Sequence, residues 1–288
     1  TSSWYVPLKQ LTYEQISGFQ EAQNEDPKIN GVWFEEEYKR IYPYGSLAAD
    51  VIGFSGMDNE GSYGLEEYYN DTLNGINGRE YGYLNDDLAL ERTVKAAVDG
   101  YDIHSTIDAN LQMIVEKYLK QFNEEQANAF TPGNGAENVG CIIMEVDTGE
   151  VLAMASLPGY DLNNVRDASR LLGTKLLEEV TNANGYIEIH KTDTVITEEV
   201  LANLSEEQLY VNLNYLWKNY CITGTYEPGS TAKPFTVAAA LEDGAISAGT
   251  MLECTGLLEI GGYKIRCHGG VHGMLSLEQA VAKSCNVV

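Results

Sequence analysis

Basic residues are scarce in this sequence: 18 Lys and Arg stand against 43 Asp and Glu, a formal charge of −25. A chain with that balance cannot neutralise a phosphate backbone, which excludes nucleic-acid binding through charge, and it argues against docking on anionic lipid. The acidity is spread along the chain as solvated surface and identifies no substrate. Long apolar runs are missing too. None approaches the roughly 18 residues a membrane span needs, and no signal peptide opens the chain. Histidine is reduced to four residues and cysteine to five, an odd count that leaves at least one thiol outside any set of disulfides. What remains, 44% apolar and 21% charged, is ordinary for a globular protein, and 288 residues suffice for two domains, each with a core.

Against that background one stretch stands out, Tyr226-Glu227-Pro228-Gly229-Ser230-Thr231-Ala232-Lys233-Pro234-Phe235, running on through Leu241 to Gly244. Pro and Gly mark a turn, and the apolar run behind them, closed by a Gly, predicts a helix. Pro234 fits because the first turn of a helix has no use for its missing N–H. Being apolar on all sides, the helix is expected to be buried. Ser230 and Lys233 lie one turn apart on one face. A buried ammonium is costly unless paired, and desolvation favours the neutral amine, so this is a base beside a nucleophile. The helix N-terminus adds free N–H groups where an oxyanion would form. A plainer reading has Ser230 capping the helix and Lys233 reaching out to solvent.

A second stretch, Lys283-Ser284-Cys285-Asn286, follows the amphipathic run Leu277–Ala282 and puts Ser284 at a helix end. Ser-x-x-Lys followed by Ser-x-Asn, with Glu-Pro-Gly-Ser-Thr-x-Lys-Pro around the first element, resembles the class B penicillin-binding proteins, the peptidoglycan D,D-transpeptidases of bacteria. The third element of that pattern, Lys-Thr-Gly, is absent from the sequence. The resemblance implies an α+β protein: a β-rich pedestal (dimerisation-type) domain over residues 1–100, and over 101–288 part of a penicillin-binding/β-lactamase-like transpeptidase domain, an α/β/α sandwich with an antiparallel sheet. It also implies a piece of a longer protein whose missing membrane helix would anchor it at the extracytoplasmic face of the bacterial cell membrane.

Taken in order, Thr12 and Gln15 offer a capping box for a helix over Thr12–Ala22, and Gly31–Phe34 reads as a strand. Arg40-Ile41-Tyr42-Pro43-Tyr44-Gly45, with Ala48–Phe54 behind it, resembles the family's pedestal. Gly61–Tyr68 reads as a helix start, and residues 79–100 as strands leading to a boundary near Gly100. Tyr101–Asp108 alternates as a strand. Asp108 then caps a helix over Ala109–Gln126, with Leu111, Ile114, Val115, Tyr118, Leu119 and Phe122 at helical spacing. Val139–Val146 and Glu150–Leu157 form two strands around the Asp147-Thr148-Gly149 turn. Residues 164–219, acidic and helix-prone over Thr194–Leu209, depart from the family pattern and read as a surface insertion, either a partner-facing lobe or decoration.

By resemblance, Ser230 is the nucleophile that attacks the D-Ala-D-Ala carbonyl of a stem peptide, and Lys233 takes its proton. Ser284 relays the proton to the leaving D-alanine, and Asn286 holds the peptide amide. β-Lactams imitate the dipeptide and stall as acyl-enzymes. No cofactor is implied, and the implied partner is a membrane glycosyltransferase of the shape, elongation, division or sporulation type. Without the Lys-Thr-Gly strand the chain is expected to be acylated weakly or not at all.

Cys254 and Cys267 flank a hairpin-like segment, Leu257–Ile265 with Gly261-Gly262 at its turn, which puts the two within disulfide reach; the redox state of such a bridge would affect the neighbouring site. Cys254, Cys267, His268 and His272 also suggest a zinc set, but no close Cys-x-x-Cys pair is present and the surroundings are Gly-rich, so a loop and no metal are expected. His104 and His190 read as structural and Cys141 as a buried core thiol. Two other functions fit the same motifs: a serine β-lactamase or carboxypeptidase, and a non-catalytic β-lactam sensor or structural module. More than 200 residues before Ser230, and Cys285 in place of the Asp of Ser-Asp-Asn, count against a class A β-lactamase.

Overall fold

The computed structural model describes residues 8–9, 11–34, 39–56, 59–84, 90–130, 132–136 and 138–288. Residues 85–89, inside the strands expected over 79–100, lie outside this set. The chain gathers into two compact units, Thr1–Ile222 and Thr223–Val288. All strand pairs among the described residues are antiparallel and two-stranded.

The first unit is built on an aromatic core. Phe54, Tyr160, Leu171, Ile196, Leu213 and Trp217 are buried together. The Phe54 and Trp217 rings meet edge to face at 5.1 Å, Tyr63 packs on Trp217 at 5.8 Å, and the indole N–H donates to the Val165 carbonyl at 2.9 Å. Edge-to-face contacts of this kind add to the area the rings bury. Leu213, Leu216 and Trp217 come from the helix Glu206–Leu216 and its end, in the segment expected to be a surface insertion. That segment supplies core. Its Glu198, Glu199, Glu206 and Glu207 occupy helix starts, where Thr197 and Ser205 cap and the N-terminal field favours carboxylates.

The motif over residues 40–45 makes contacts within this unit to residues on both sides of Gly100. Arg40 donates to Glu66 at 2.7 Å, and the buried Tyr42 hydroxyl donates to the same carboxylate at 3.3 Å while accepting the Ser55 N–H. The Asn163 side chain pairs with both backbone groups of Tyr42, at 3.1 and 2.8 Å. Residues 40–66 are thereby tied to the loop after the strand Val151–Leu157. That strand pairs with Val139–Met144, as the sequence predicts, and the helix Ala109–Glu125 covers it. Asp108 caps that helix through the Asn110 and Leu111 N–H groups. The helix Tyr13–Glu25 carries the Gln15 side chain back to the Thr12 N–H at 2.8 Å.

Two expected strands are not strands. Gly31–Phe34, which opens on a bend, and Tyr101–Asp108 form no ladder. For the second, the ties to Val151–Leu157 are one Thr106 hydroxyl bond and the Asp108 N–H, too few to make a sheet. A long hairpin, Lys175–Thr181 with Ile187–Val195, lies in the segment expected as a surface insertion; it buries Leu176 and Leu177 and is mostly exposed beyond them.

In the second unit, Met251–Cys254 pairs with Gly273–Ser276, and Leu257–Ile260 with Tyr263–Arg266. Gly261 and Gly262 both take positive φ, +57° and +84°, the two-residue turn that suits a hairpin. The core is small: Cys254, Cys267, Leu275, Ala280 and Cys285. The helix Lys233–Glu242 contains no buried residue, contrary to the expectation from its apolar sequence. Lys233, Val237 and Ala240 are half-buried and fall on one stripe, whereas Phe235 is 78% exposed. Within this unit only one face of the helix meets neighbours.

Candidate active site

Ser230 stands in the single 3₁₀ turn Gly229–Ala232, directly ahead of the helix Lys233–Glu242. Gly229, at φ +57°, sets the turn, and the Thr231 hydroxyl closes it on the Pro228 carbonyl at 2.6 Å. The Lys233 N–H donates to the Ser230 carbonyl. In 3₁₀ geometry side chains three apart eclipse, so the Ser230 hydroxyl and the Lys233 amine leave the same edge. Ser230 is exposed, and among the described residues its hydroxyl has no hydrogen-bond partner.

The Lys233 amine is half-buried and fully engaged. Its Nζ lies 2.6 Å from the Ser284 carbonyl, 3.0 Å from Ser284 Oγ and 2.6 Å from Asn286 Oδ1. Ser284 reaches this position through the way the helix Leu277–Ala282 ends. The Ser284 N–H donates to Val281 and the Cys285 N–H to Ala280, with Ser284 itself at φ +49°. This is a left-handed helix stop with Ser at the position Gly usually takes. It costs about 1–2 kcal/mol in backbone strain, of the kind that gathers at functional sites. The Asn286 amide is fixed from both sides, since its Nδ2 donates to the Arg266 carbonyl at 3.0 Å. The structure thus places Lys233, Ser284 and Asn286 in one cluster and Ser230 one turn from Lys233.

Cys254 and Cys267 are free thiols in this structure, as are the other three cysteines. They do not stand as an isolated pair. Both sulfurs face His272 Nδ1, at 3.6 and 3.4 Å, and Cys267 Sγ lies 3.6 Å from Cys285 Sγ. The sequence expects a metal-free Gly-rich loop here and considers His268; the partner the structure brings in is Cys285, the central residue of Ser-x-Asn. Burial alone would raise the Cys254 thiol, but the His272 and Gly256 N–H groups and the thiols of Cys285 and Cys267 bring it down to about 6. The Asn286 N–H pulls Cys267 the same way, yet burial and the Cys285 and Cys254 thiols outweigh it and hold Cys267 above its ordinary value.

Residues 139–288 match the family described as the penicillin binding protein transpeptidase domain, and residues 2–105 the penicillin-binding protein dimerisation domain. The chain belongs to the penicillin-binding protein transpeptidase family. It is 29% identical to stage V sporulation protein D of Bacillus subtilis over 90% of this chain and 33% of that protein. To the peptidoglycan D,D-transpeptidase FtsI of Escherichia coli K12 it is 28% identical over 90% of this chain and 35% of that one. Among solved structures, penicillin binding protein 2X from Streptococcus thermophilus superposes with a TM-score of 0.60 at 23% identity, over 96% of this chain and 36% of the other. The chain therefore spans about a third of the length of the curated relatives it matches. The expected α+β class of this family, helices with antiparallel strands, is what the fold displays.

Proposed function

We propose that this chain is the pedestal and the Ser-x-x-Lys/Ser-x-Asn part of a peptidoglycan D,D-transpeptidase that works through a serine acyl-enzyme. One observation supports the reading: the Lys233 amine bonds to both Ser284 and Asn286, the two outer residues of the Ser-x-Asn element some fifty positions downstream. Two of its contacts, to the Ser284 carbonyl and Asn286 Oδ1, use N–H donors on groups that only accept. The third, to Ser284 Oγ, joins two groups that can each give or take a proton.

In this mechanism Ser230 Oγ attacks the D-Ala-D-Ala carbonyl carbon and gives its proton to Lys233. The C–N bond to the terminal D-alanine breaks, and the proton passes through Ser284 to that leaving amine. Asn286 positions the donor peptide. The amine of a second stem peptide then attacks the ester carbonyl and gives up a proton to Lys233; the C–O bond to Ser230 breaks, the proton returns to Ser230 Oγ, and the cross-link is formed. The Ser230 N–H, at the start of the helix, supplies part of the oxyanion site. Division near Gly100 between pedestal and transpeptidase domain, an extracytoplasmic location and a membrane glycosyltransferase partner belong to the same proposal. Among the described residues no helix is long and apolar enough to cross a membrane.

Acylation by a fluorescent penicillin is the test. Stable labelling lost in Ser230→Ala supports the reading; rapid release of label would make the protein a β-lactamase, and no labelling of any version would leave a structural module. A longer version carrying a Lys-Thr-Gly strand is expected to label faster than this chain, and equal rates would overturn that part.

A further inference from the structure

We infer that Cys254, Cys267, His272 and Cys285 bind one zinc ion as a closed structural site. Their four ligand atoms lie within 4.8 Å of one another, three of the residues are buried and His272 is half-buried. Zinc held tetrahedrally by sulfur at about 2.3 Å and imidazole nitrogen at about 2.0 Å separates its ligands by about 3.5–3.8 Å. The separations here are 3.4 and 3.6 Å from sulfur to Nδ1, and 3.6 Å between the Cys267 and Cys285 sulfurs.

The alternatives account for less. A disulfide requires sulfurs at about 2.05 Å, would use two of the three thiols, and leaves the imidazole without a role. A cluster of protonated thiols can send Cys254 Sγ to the Gly270 carbonyl at 3.9 Å and Cys267 Sγ to Cys285 Sγ at 3.6 Å, but that leaves the approach of two sulfurs to one imidazole nitrogen without a cause. A cation at the centre satisfies all four groups at once. On binding, the three thiols give up their protons to solvent and His272 binds as neutral imidazole, so the set accepts a divalent ion with one net negative charge left over. Three thiolates and one imidazole in a tetrahedron select zinc over the oxygen-seeking cations.

The ligands come from four separate pieces: the end of Met251–Cys254, the residue after Tyr263–Arg266, the loop at Gly269-Gly270, and the turn after Leu277–Ala282. Joining them fixes Cys285 between Ser284 and Asn286, and Cys267 next to the Arg266 carbonyl that holds the Asn286 amide. The ion would therefore set the geometry around Lys233 without touching it. The binding claim itself stands on the thiol and imidazole positions and is independent of the transpeptidase reading.

The test is metal analysis of the purified full chain. Expected is about one zinc per chain, released by a mercurial thiol reagent, and, after exchange with cobalt(II), the strong visible bands of a tetrahedral thiolate site. Cys285→Ser and His272→Ala should each weaken zinc retention by at least about tenfold. Protein that takes up no zinc while its thiols titrate as free, or that carries a Cys254–Cys267 disulfide by mass spectrometry, overturns the inference. So does full zinc retention in a Cys254→Ser, His272→Ala double variant. The cobalt spectrum of the unaltered protein keeps the inference testable should the variants fail to fold.

Discussion

The two units reach stability by different physical routes. Residues 1–222 bury a continuous cluster of aromatic and branched side chains, with buried polar groups that are almost all partnered. Residues 223–288 bury little: three of their five core residues are cysteines, and their longest helix has no buried residue. A core that small gains little from apolar area alone, and the proposed zinc site would act as its staple. In the first unit, then, order comes from apolar area, whereas in the second it depends on four side chains at one point. The candidate catalytic residues sit in the weaker of the two.

The sharpest way to break this contrast is to remove the staple. Stripping metal with a chelator, or Cys254→Ser, should lower or abolish the melting transition of the second unit while leaving that of the first in place; structural zinc is worth on the order of 10 kcal/mol to a small fold. Calorimetry of the full chain would follow both, and an unchanged second transition would mean that the apolar contacts suffice. The reverse experiment is Trp217→Ala. It removes a buried ring and its bond to Val165 and should cost the first unit about 3–5 kcal/mol with no shift in the second.

A third difference is in pH response. Asp50 is buried, and Ser156 Oγ donates to its Oδ2, while Oδ1 has no partner. Burial raises its pKa from 3.8 to about 7, against the Ser156 bonds that lower it, and the Glu116 carboxylate adds to the rise. Between these two values the unfolded chain has released a proton that the folded chain still holds. Stability of the first unit should therefore fall as pH rises from about 4 to about 7 and level off above, by up to roughly 4 kcal/mol. Asp50→Asn should flatten that slope and stabilise the unit at pH 8, as measured by denaturant titration at several pH values. The smallest effect belongs to Ser284→Gly, which relieves the left-handed strain. It should stabilise the second unit by about 1 kcal/mol or less while removing the hydroxyl that bonds Lys233, so that melting temperature rises as acylation falls.

What the sequence revealed was local chemistry. The Asp108 cap, the Gly261-Gly262 turn and the 139–157 hairpin each need only neighbouring residues, and each formed where expected. Lys233 with Ser284 and Asn286 was legible through the motif. Alternation over Tyr101–Asp108 misled because period two describes any extended chain, and a strand also needs a partner. The apolar run after Lys233 suggested burial, but periodicity says nothing of how much protein is available to cover a helix. The 175–195 hairpin had a signal in Asn184-Gly185 between β-branched runs, obscured by charge. Of the Cys254, Cys267, His272 and Cys285 set, the first three stood out in the sequence and were read as a metal-free loop, whereas Cys285 joins them only after two hairpins and a helix have folded.

One consequence follows from the amide of Asn286, read at one end by Lys233 and at the other by the Arg266 carbonyl. Turned over, it would set donor against donor and acceptor against acceptor, so its polarity is keyed to the strand behind it. A carboxylate of the same outline would recoil from that carbonyl and seize the lysine. At this position an atom's identity, with shape unchanged, decides whether the amine is lent or locked away.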